Sequence, residues 1–266
     1  MRYASSLKFL ILAAALAGTA LPLHAAPLED GLAALEERRF DDAIAGFGAA
    51  FEAGEADAGF YLARMAELGI GVEADFENAR VLYLAAADAG SAKAMNRLGL
   101  MHFRGERVLQ DYATANELIC GAAEKGEIDA VFNCAGMLSE GLGSEVDEAR
   151  AFEMYRQAAE EGHIGALNTL AFAHRDGRIE GAEPQQAIAY FEQAAQLGNP
   201  VALYELGAIH EAGEVVEVDL IEAHVHYNLA SARQHPAAPA ALERVTSRLA
   251  PADLTAAQAR ARAWRQ

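Results

Sequence analysis

The feature that most restricts this sequence is an internal repeat with a period of 36 residues. Residues 56 to 235 divide into five blocks without a gap, and three block positions keep one residue type throughout. The columns at positions 3, 14 and 24 are Ala58, Ala94, Ala130, Ala166, Ala202; Gly69, Gly105, Gly141, Gly177, Gly213; and Ala79, Ala115, Ala151, Ala187, Ala223. Such a chain folds as a row of equal units in which each unit packs on its neighbours.

Each block has the pattern of two helices. Apolar or small residues at block positions 3, 7, 8 and 11 share one helix face, and the glycine at position 14 favours a left-handed helix end. A second stripe, at positions 24, 28, 31 and 32, indicates another helix, and the small alanine columns allow close helix crossings. The chain contains 62 alanines, which also favours helix. The sequence predicts an all-α fold: a right-handed α-solenoid of stacked helix-turn-helix repeats with the first helices on its concave side.

The first block carries a family resemblance. Leu62-Ala63 leads to the turn 69–72, and Asp75, Ala79, Tyr83 and Ala86-Ala87 lead to Gly90. This pattern resembles the Sel-1-like repeat family, a relative of the tetratricopeptide repeat with a longer turn, over residues 56 to 235. The chain departs from that pattern where the first-helix tyrosine is expected and where the second turn glycine is expected. The replacements are Ala66, His102, Leu138, His174 and His210 for the tyrosine, and Arg107, Ile179 and Val215 for the glycine.

The ends of the chain are expected to differ from the blocks. Arg2 and Lys8 precede an apolar run of about 15 residues that is too short to span a bilayer and ends at small residues. We predict that residues 1–25 are a cleaved signal peptide, with an uncleaved anchor as the alternative, and that no transmembrane segment follows. The remaining expected segments are a tetratricopeptide-like capping hairpin at 28–55, repeats at 56–91, 92–127, 128–163, 164–199 and 200–235, and capping helices within 236–266, at about 239–249 and 253–265.

The basic residues of the C-terminal segment are expected to serve the cap. These residues are Arg244, Arg248, Arg260, Arg262 and Arg265. Terminal repeats need polar outer faces, so we expect these arginines to pair with the acidic last repeat. The alternative is a patch for an anionic partner or a membrane surface, for which the arginines are widely spaced.

Charge and motif content exclude several classes of function. The net charge of −18 makes nucleic-acid binding improbable, because each phosphate contact needs a cation. The glycine pairs lack the rest of a phosphate-binding motif, and no set of residues has metal-ligand spacing, so we predict neither a cofactor nor a metal nor an enzyme. A hydrolase of the cell envelope is the weakest alternative. A ligand- or pH-responsive signalling regulator is the stronger one, supported by His102, His174 and His210, which share one repeat position.

The two cysteines allow a disulfide. Cys120 and Cys134 lie seven residues on either side of Glu127, at matching heights in two adjoining helices. An even number of cysteines in an exported chain favours pairing. The opposing observation is that their repeat positions differ in exposure, so the two thiols could face different directions.

The first-helix surface is the expected binding site. The signal segment predicts a periplasmic or secreted protein, and the resemblance implies an interaction scaffold with a role in envelope assembly or signalling. We expect it to bind a protein or peptide on its concave face. Aromatic and asparagine side chains at the fifth and ninth block positions would anchor an extended segment. The alternative is that these aromatics are ordinary helix packing. The candidates are Phe60, Arg64, Asn96, Phe132, Asn168, Phe172 and Tyr204.

Overall fold

The structure is a computed structural model that describes residues 28–264. It divides the chain after residue 79 into two compact units. The expected signal segment, residues 1–25, lies outside the described residues, as does Arg265. Every regular element between residues 28 and 264 is a helix, which confirms the prediction of an all-α fold.

The first unit begins with three helices that pack in chain order. They are α1 (Leu28–Glu36), α2 (Phe40–Glu52) and α3 (Ala56–Leu68), and α4 (Phe76–Asp88) spans the division between the units. The buried side chains of Phe47, Ala50, Ala58 and Met65 form the core of this unit. Gly31 lies against Phe47 so closely that a Cβ atom there would meet the ring at 2.5 Å, and glycine is therefore required for α1 to pack on α2.

The second unit continues with four helical hairpins and two closing helices. These are α5 (Ala92–Arg104), α6 (Tyr112–Glu124), α7 (Ile128–Glu140), α8 (Glu148–Glu160), α9 (Ile164–Arg175), α10 (Pro184–Gln196), α11 (Pro200–Ala212), α12 (Leu220–Ala232), α13 (Ala238–Thr246) and α14 (Pro251–Ala263). From α5 to α13 each helix packs on the next, and α14 packs on α12. We call α5, α7, α9 and α11 the first helices of repeats 2 to 5, and α6, α8, α10 and α12 their second helices.

The alanine columns of the sequence become the crossing points of these helices. In the second unit the alanines at block position 3 are fully buried, and those at position 24 are at most 1% exposed. Position 28 holds the large core side chains, such as Ile119 and Phe191, which are also fully buried. Close approach at alanine and filling by bulky side chains together produce one core cluster that extends from Ala115 to Ala257 and a smaller one around Tyr227 and Val245.

The turns follow the glycine and aspartate columns. Gly105, Gly141, Gly177 and Gly213 have φ between 66 and 71°, the left-handed conformation that ends a helix without steric penalty in glycine. The second helix of each of three repeats then begins with an aspartate whose side chain accepts backbone N–H bonds from the first turn. These N-caps are Asp111, Asp147 and Asp219. Arg107 adopts a positive φ of 58° in place of the expected glycine, whereas Ile179 and Val215 do not adopt a positive φ.

The C-terminal helices begin at Ala238 and Pro251, near the expected 239 and 253, and each has a proline in its first turn. Three of the five arginines pair with repeat 5: Arg244 and Arg248 with Glu211, and Arg260 with Glu222. Arg244 donates two hydrogen bonds to Glu211, at 2.9 and 2.7 Å, and Arg248 donates one at 2.9 Å. The Tyr227 hydroxyl also donates to Glu211, and these donors lower the pKa of that carboxyl group, with the Arg244 hydrogen bond as the largest cause.

Cys120 on α6 and Cys134 on α7 form a disulfide, with their Cα atoms 5.0 Å apart. Cys134 is fully buried and Cys120 is half-buried. The two positions therefore differ in exposure as expected, but the two thiols still face each other. The bridge joins the second helix of repeat 2 to the first helix of repeat 3. It therefore links two neighbouring repeats covalently.

We expect reduction of this disulfide to lower the free energy of unfolding by about 3 kcal/mol, because opening a loop of this length releases chain entropy in the unfolded state. Urea unfolding of the same preparation with and without reductant measures the difference. A Cys120→Ala, Cys134→Ala variant is the control, since its unfolding midpoint must not respond to reductant. Two titratable thiols in freshly purified, denatured protein would contradict the bond.

Candidate functional site

The first helices of the second unit bear five of the residues predicted to bind a partner. Asn96, Phe132, Asn168, Phe172 and Tyr204 all lie on these helices, and all but the buried Asn96 are half-buried. Each has contacts within the protein. The first-helix surface, as we call the exposed side of α5, α7, α9 and α11, is therefore partly occupied by internal packing.

Two of these aromatic side chains stack on histidines. His163 directly precedes α9, and His235 lies shortly before α13. The ring of Phe132 lies 4.4 Å from that of His163, and the ring of Tyr204 lies 4.3 Å from that of His235. The Nδ1 atom of His163 accepts a bond from Ala166 N, so the imidazole caps α9 while its face covers Phe132. Burial lowers the pKa of His163, which favours the neutral ring that this cap needs.

The two asparagines at the same repeat position bind neighbouring amides. Asn133 Nδ2 donates to Asn96 Oδ1 at 3.1 Å, and Asn168 Nδ2 donates to Asn199 Oδ1 at 3.3 Å. Asn199 is the N-cap of α11, so the second bond ties one first helix to the start of the next. These amides hold adjacent repeats together, a role that the amide columns of the sequence did not distinguish from ligand binding.

Phe60 and Arg64 belong to the first unit. The Phe60 ring contacts Tyr61 edge-on at 5.3 Å between centroids. Arg64 Nη1 forms an ion pair with Glu67 at 2.9 Å along the same helix. Both side chains are half-buried on α3.

A groove opens between α5 and α7 on the first-helix surface. Its volume is about 140 Å³. Most of its lining is apolar, and one acidic residue stands at its rim. The lining residues are Leu100, Phe103, Ile119, Phe132, Asn133, Gly136, Met137, Glu140 and Leu142.

The groove contains one residue of the predicted set, Phe132. Leu100 and Gly136 stand at the ninth block position without being among the predicted binding residues, and Phe103, Glu140 and Leu142 stand at neither the fifth nor the ninth position. Gly136 is the sequence feature that could have indicated the groove, because it is the only glycine at the ninth position among the five blocks. A missing side chain between bulky neighbours marks a place that the chain does not fill itself.

The titratable groups of the described residues fit structural roles. The pKa is lowered in the carboxyl groups of Asp111, Asp176 and Glu211, in each case chiefly by a hydrogen bond from a neighbouring side chain. Within residues 28–264, no cluster of three or more His, Cys, Asp or Glu side chains is arranged to hold a metal ion.

His174 and His210, two of the histidines that share one repeat position, contact different neighbours. His174 packs against Tyr190 and accepts a bond from Glu183 N at Nδ1, while His210 stacks on His226 with 5.5 Å between ring centroids. Each therefore contacts the second helix of its own repeat. Burial, followed by the charge of His210, lowers the pKa of His226 to about 4.

The helices between residues 28 and 264 are all too short or too polar to cross a bilayer. Their repeat pattern decides the family. The Sel1 repeat model matches residues 56–91, 92–127, 128–163, 165–199 and 200–235. The chain belongs to the Sel1 repeat family. This confirms the resemblance noted in the sequence and, with the solved structures below, the right-handed α-solenoid fold class.

Three solved structures illustrate the similarity of this Sel1 repeat protein to others. A Sel1 repeat protein from Oxalobacter formigenes is 24% identical, with a TM-score of 0.75 over 88% of this chain and 98% of that one. A protective antigen of uropathogenic Escherichia coli strains is 26% identical, with a TM-score of 0.65 over 78% of this chain. This chain spans 45% of the antigen's length. An immunity protein of Pseudomonas aeruginosa is 15% identical, with a TM-score of 0.55 over 80% of this chain and 88% of that one.

These structures support the fold rather than a particular activity. No curated protein matches the chain. The Sel1 repeat is a non-catalytic scaffold fold, so the function has to be argued from the surface that the repeats present.

Proposed function

We propose that this Sel1 repeat protein is an exported scaffold that binds a protein or peptide partner on the first-helix surface of its second unit, in envelope assembly or signalling. The observation that carries the proposal is the open groove between α5 and α7. Exposed concave apolar surface bordered by polar groups is typical of sites that bind a partner. Proteins of this family are scaffolds for protein–protein interaction, which agrees with that geometry.

Export is supported by two independent features. The first 25 residues have the basic, apolar and small-residue order of a secretory signal. The pairing of Cys120 with Cys134 fits an oxidising compartment, where disulfides persist. A periplasmic or secreted location follows as part of the proposal.

Site-specific photocrosslinking in cells that express the chain natively tests the binding surface. Phe132, Phe172 and Tyr204 are replaced one at a time by benzoylphenylalanine, which keeps an aromatic ring where internal stacking needs one. We expect a crosslinked partner from these positions, because they border the first-helix surface. The mass of the purified chain, which must begin at Ala26, checks export in the same preparation.

Matched controls carry the same photoreactive residue on other exposed surfaces. Leu84 and Leu197 are 43% and 52% exposed and lie outside the first helices, and Arg262 represents the C-terminal cap. These positions are expected to give no crosslink. Crosslinks confined to the control positions would place the partner elsewhere and overturn the proposal.

A further inference from the structure

In repeat 4, an aromatic ring and an arginine occupy positions at which repeat 3 has a glycine and a serine. On α9, the ring of Phe172 packs edge-on against Phe191, with 5.2 Å between centroids. The guanidinium of Arg175 lies 4.7 Å above the Phe172 ring. That guanidinium pairs with Asp176 and with Glu205 of α11, each at 2.8 Å, so an aromatic ring, a cation and two carboxylates lie in contact.

The corresponding residues of repeat 3, each 36 positions earlier, are Gly136, Ser139 and Glu140. The ring and the cation are absent, and one carboxylate remains, that of Glu140. Tyr155 occupies the place of Phe191, and its hydroxyl oxygen would lie 3.6 Å from a Cβ atom on Gly136. The groove between α5 and α7 therefore opens at the place that Phe172 fills one repeat later.

The only charge in the lining of the groove is negative. Glu140 is the only charged residue in its lining, and its side chain is exposed. Among the described residues, the Glu140 carboxylate has no hydrogen-bond or ion-pair partner, although burial and, to a smaller degree, the Glu140 charge raise the pKa of the nearby Tyr155 hydroxyl. Repeats 2 and 3 together contain thirteen acidic residues against seven Lys and Arg. An occupant with a positive charge is favoured, since it meets an unpaired carboxylate in an acidic surrounding.

We propose that the groove binds a short segment of a partner protein that places an aromatic or leucine side chain beside Gly136 and an arginine or lysine against Glu140. The partner thus supplies from outside the ring and the cation that Phe172 and Arg175 supply in repeat 4. The inference rests on the proposed scaffold function and names the chemistry of its partner. Apolar contact provides the anchor, and the exposed ion pair chiefly selects the sign of the charge.

Selection from a random dodecapeptide phage library tests this chemistry. The oxidised full-length protein without its leader is the target, and phage that also bind a Gly136→Phe variant are removed. Phenylalanine at residue 136 copies Phe172 and fills the groove. We expect the selected peptides to be enriched in an aromatic or leucine residue near an arginine or lysine, and depleted of acidic residues.

Binding of the resynthesised consensus peptide, measured by calorimetry, then distinguishes the two contacts. We expect at least a tenfold loss of affinity in Gly136→Phe. A smaller loss is expected in Gly136→Ala, which introduces little bulk and suits a helix interior. Glu140→Lys is expected to weaken binding by roughly threefold, with the loss reduced at high salt. Thermal unfolding of each variant separates loss of the groove from loss of the fold, and Gly136→Ala remains informative if Gly136→Phe does not fold.

Several outcomes would overturn the inference. The first is that no peptide is selected, or that the selected peptides are acidic or uncharged. The second is that the consensus peptide binds the wild type, Gly136→Ala and Gly136→Phe with equal affinity. A wild-type dimer that Gly136→Phe converts to a monomer in sedimentation would make a second copy of the chain the occupant and would also overturn it. Crosslinks from Phe172 and Tyr204 in native cells would still support the scaffold function in each case, so the two proposals fail separately.

Discussion

Replacement of Gly143 by alanine is expected to lower the free energy of unfolding by about 2 to 5 kcal/mol. Gly143 has a φ of 76°, and the left-handed conformation costs an alanine roughly 1–2 kcal/mol. A Cβ atom there would also overlap the backbone carbonyl of Tyr112 on α6, and overpacking of this kind adds about 1–3 kcal/mol. Urea unfolding followed by circular dichroism measures the change.

Gly177 provides the matched control for this prediction. Its φ of 67° is similar, but a Cβ atom on it would meet no atom within 4 Å. Gly177→Ala should therefore carry the conformational penalty alone, about 1–2 kcal/mol. Equal losses of stability in the two variants would show that the turn of repeat 3 does not depend on close contact with α6.

Acidification from pH 7 to pH 5 is expected to remove about 2 kcal/mol of stability through His226 alone. The ring is 6% exposed, and burial is the main cause that lowers its pKa from 6.5 to about 4 in the folded protein. Between these values the unfolded chain binds more protons than the folded one, so stability is full above pH 6.5 and falls as the pH falls towards 4. Burial lowers the pKa of His163, His174 and His224 in the same direction.

The groups that face His226 come from three elements. His210 on α11 stacks on it, Trp264 contacts its edge, and Arg260 on α14 and Asp219 act on it through charge. We expect His226→Phe and His226→Gln both to flatten the curve of unfolding free energy against pH, because neither side chain titrates. An unchanged slope in both variants would assign the acid sensitivity to other groups.

Much of the fold follows from the repeat pattern. The glycine at block position 14 and the alanines at positions 3 and 24 are required by local conformation or by close packing, and these requirements depend on one repeat and its neighbour. For that reason Gly141 adopts the expected left-handed conformation and Ala130 is fully buried, as the periodicity indicates. The pairing of the C-terminal arginines with repeat 5 was likewise predictable from charge.

The candidate groove was only partly predictable. The sequence suggested the surface that contains Phe132, but it could not show that His163 covers that ring, since the residue before a helix is free to turn in several directions. The void beside Gly136 arises from side chains on several helices that are distant in the sequence. Its position depends on three-dimensional packing, which a column of residue types does not describe.

The Glu211 carboxylate restricts where further repeats can be added to this chain. It receives Arg244, Arg248 and the Tyr227 hydroxyl, and the corresponding residues of repeats 2 to 4 are Phe103, Ser139 and Arg175. None of these three offers a carboxylate to the arginines of the terminal helices, so among repeats 2 to 5 this cap fits repeat 5 alone. Duplication of repeats during evolution, or their insertion by design, is therefore compatible with this chain only at points before repeat 5.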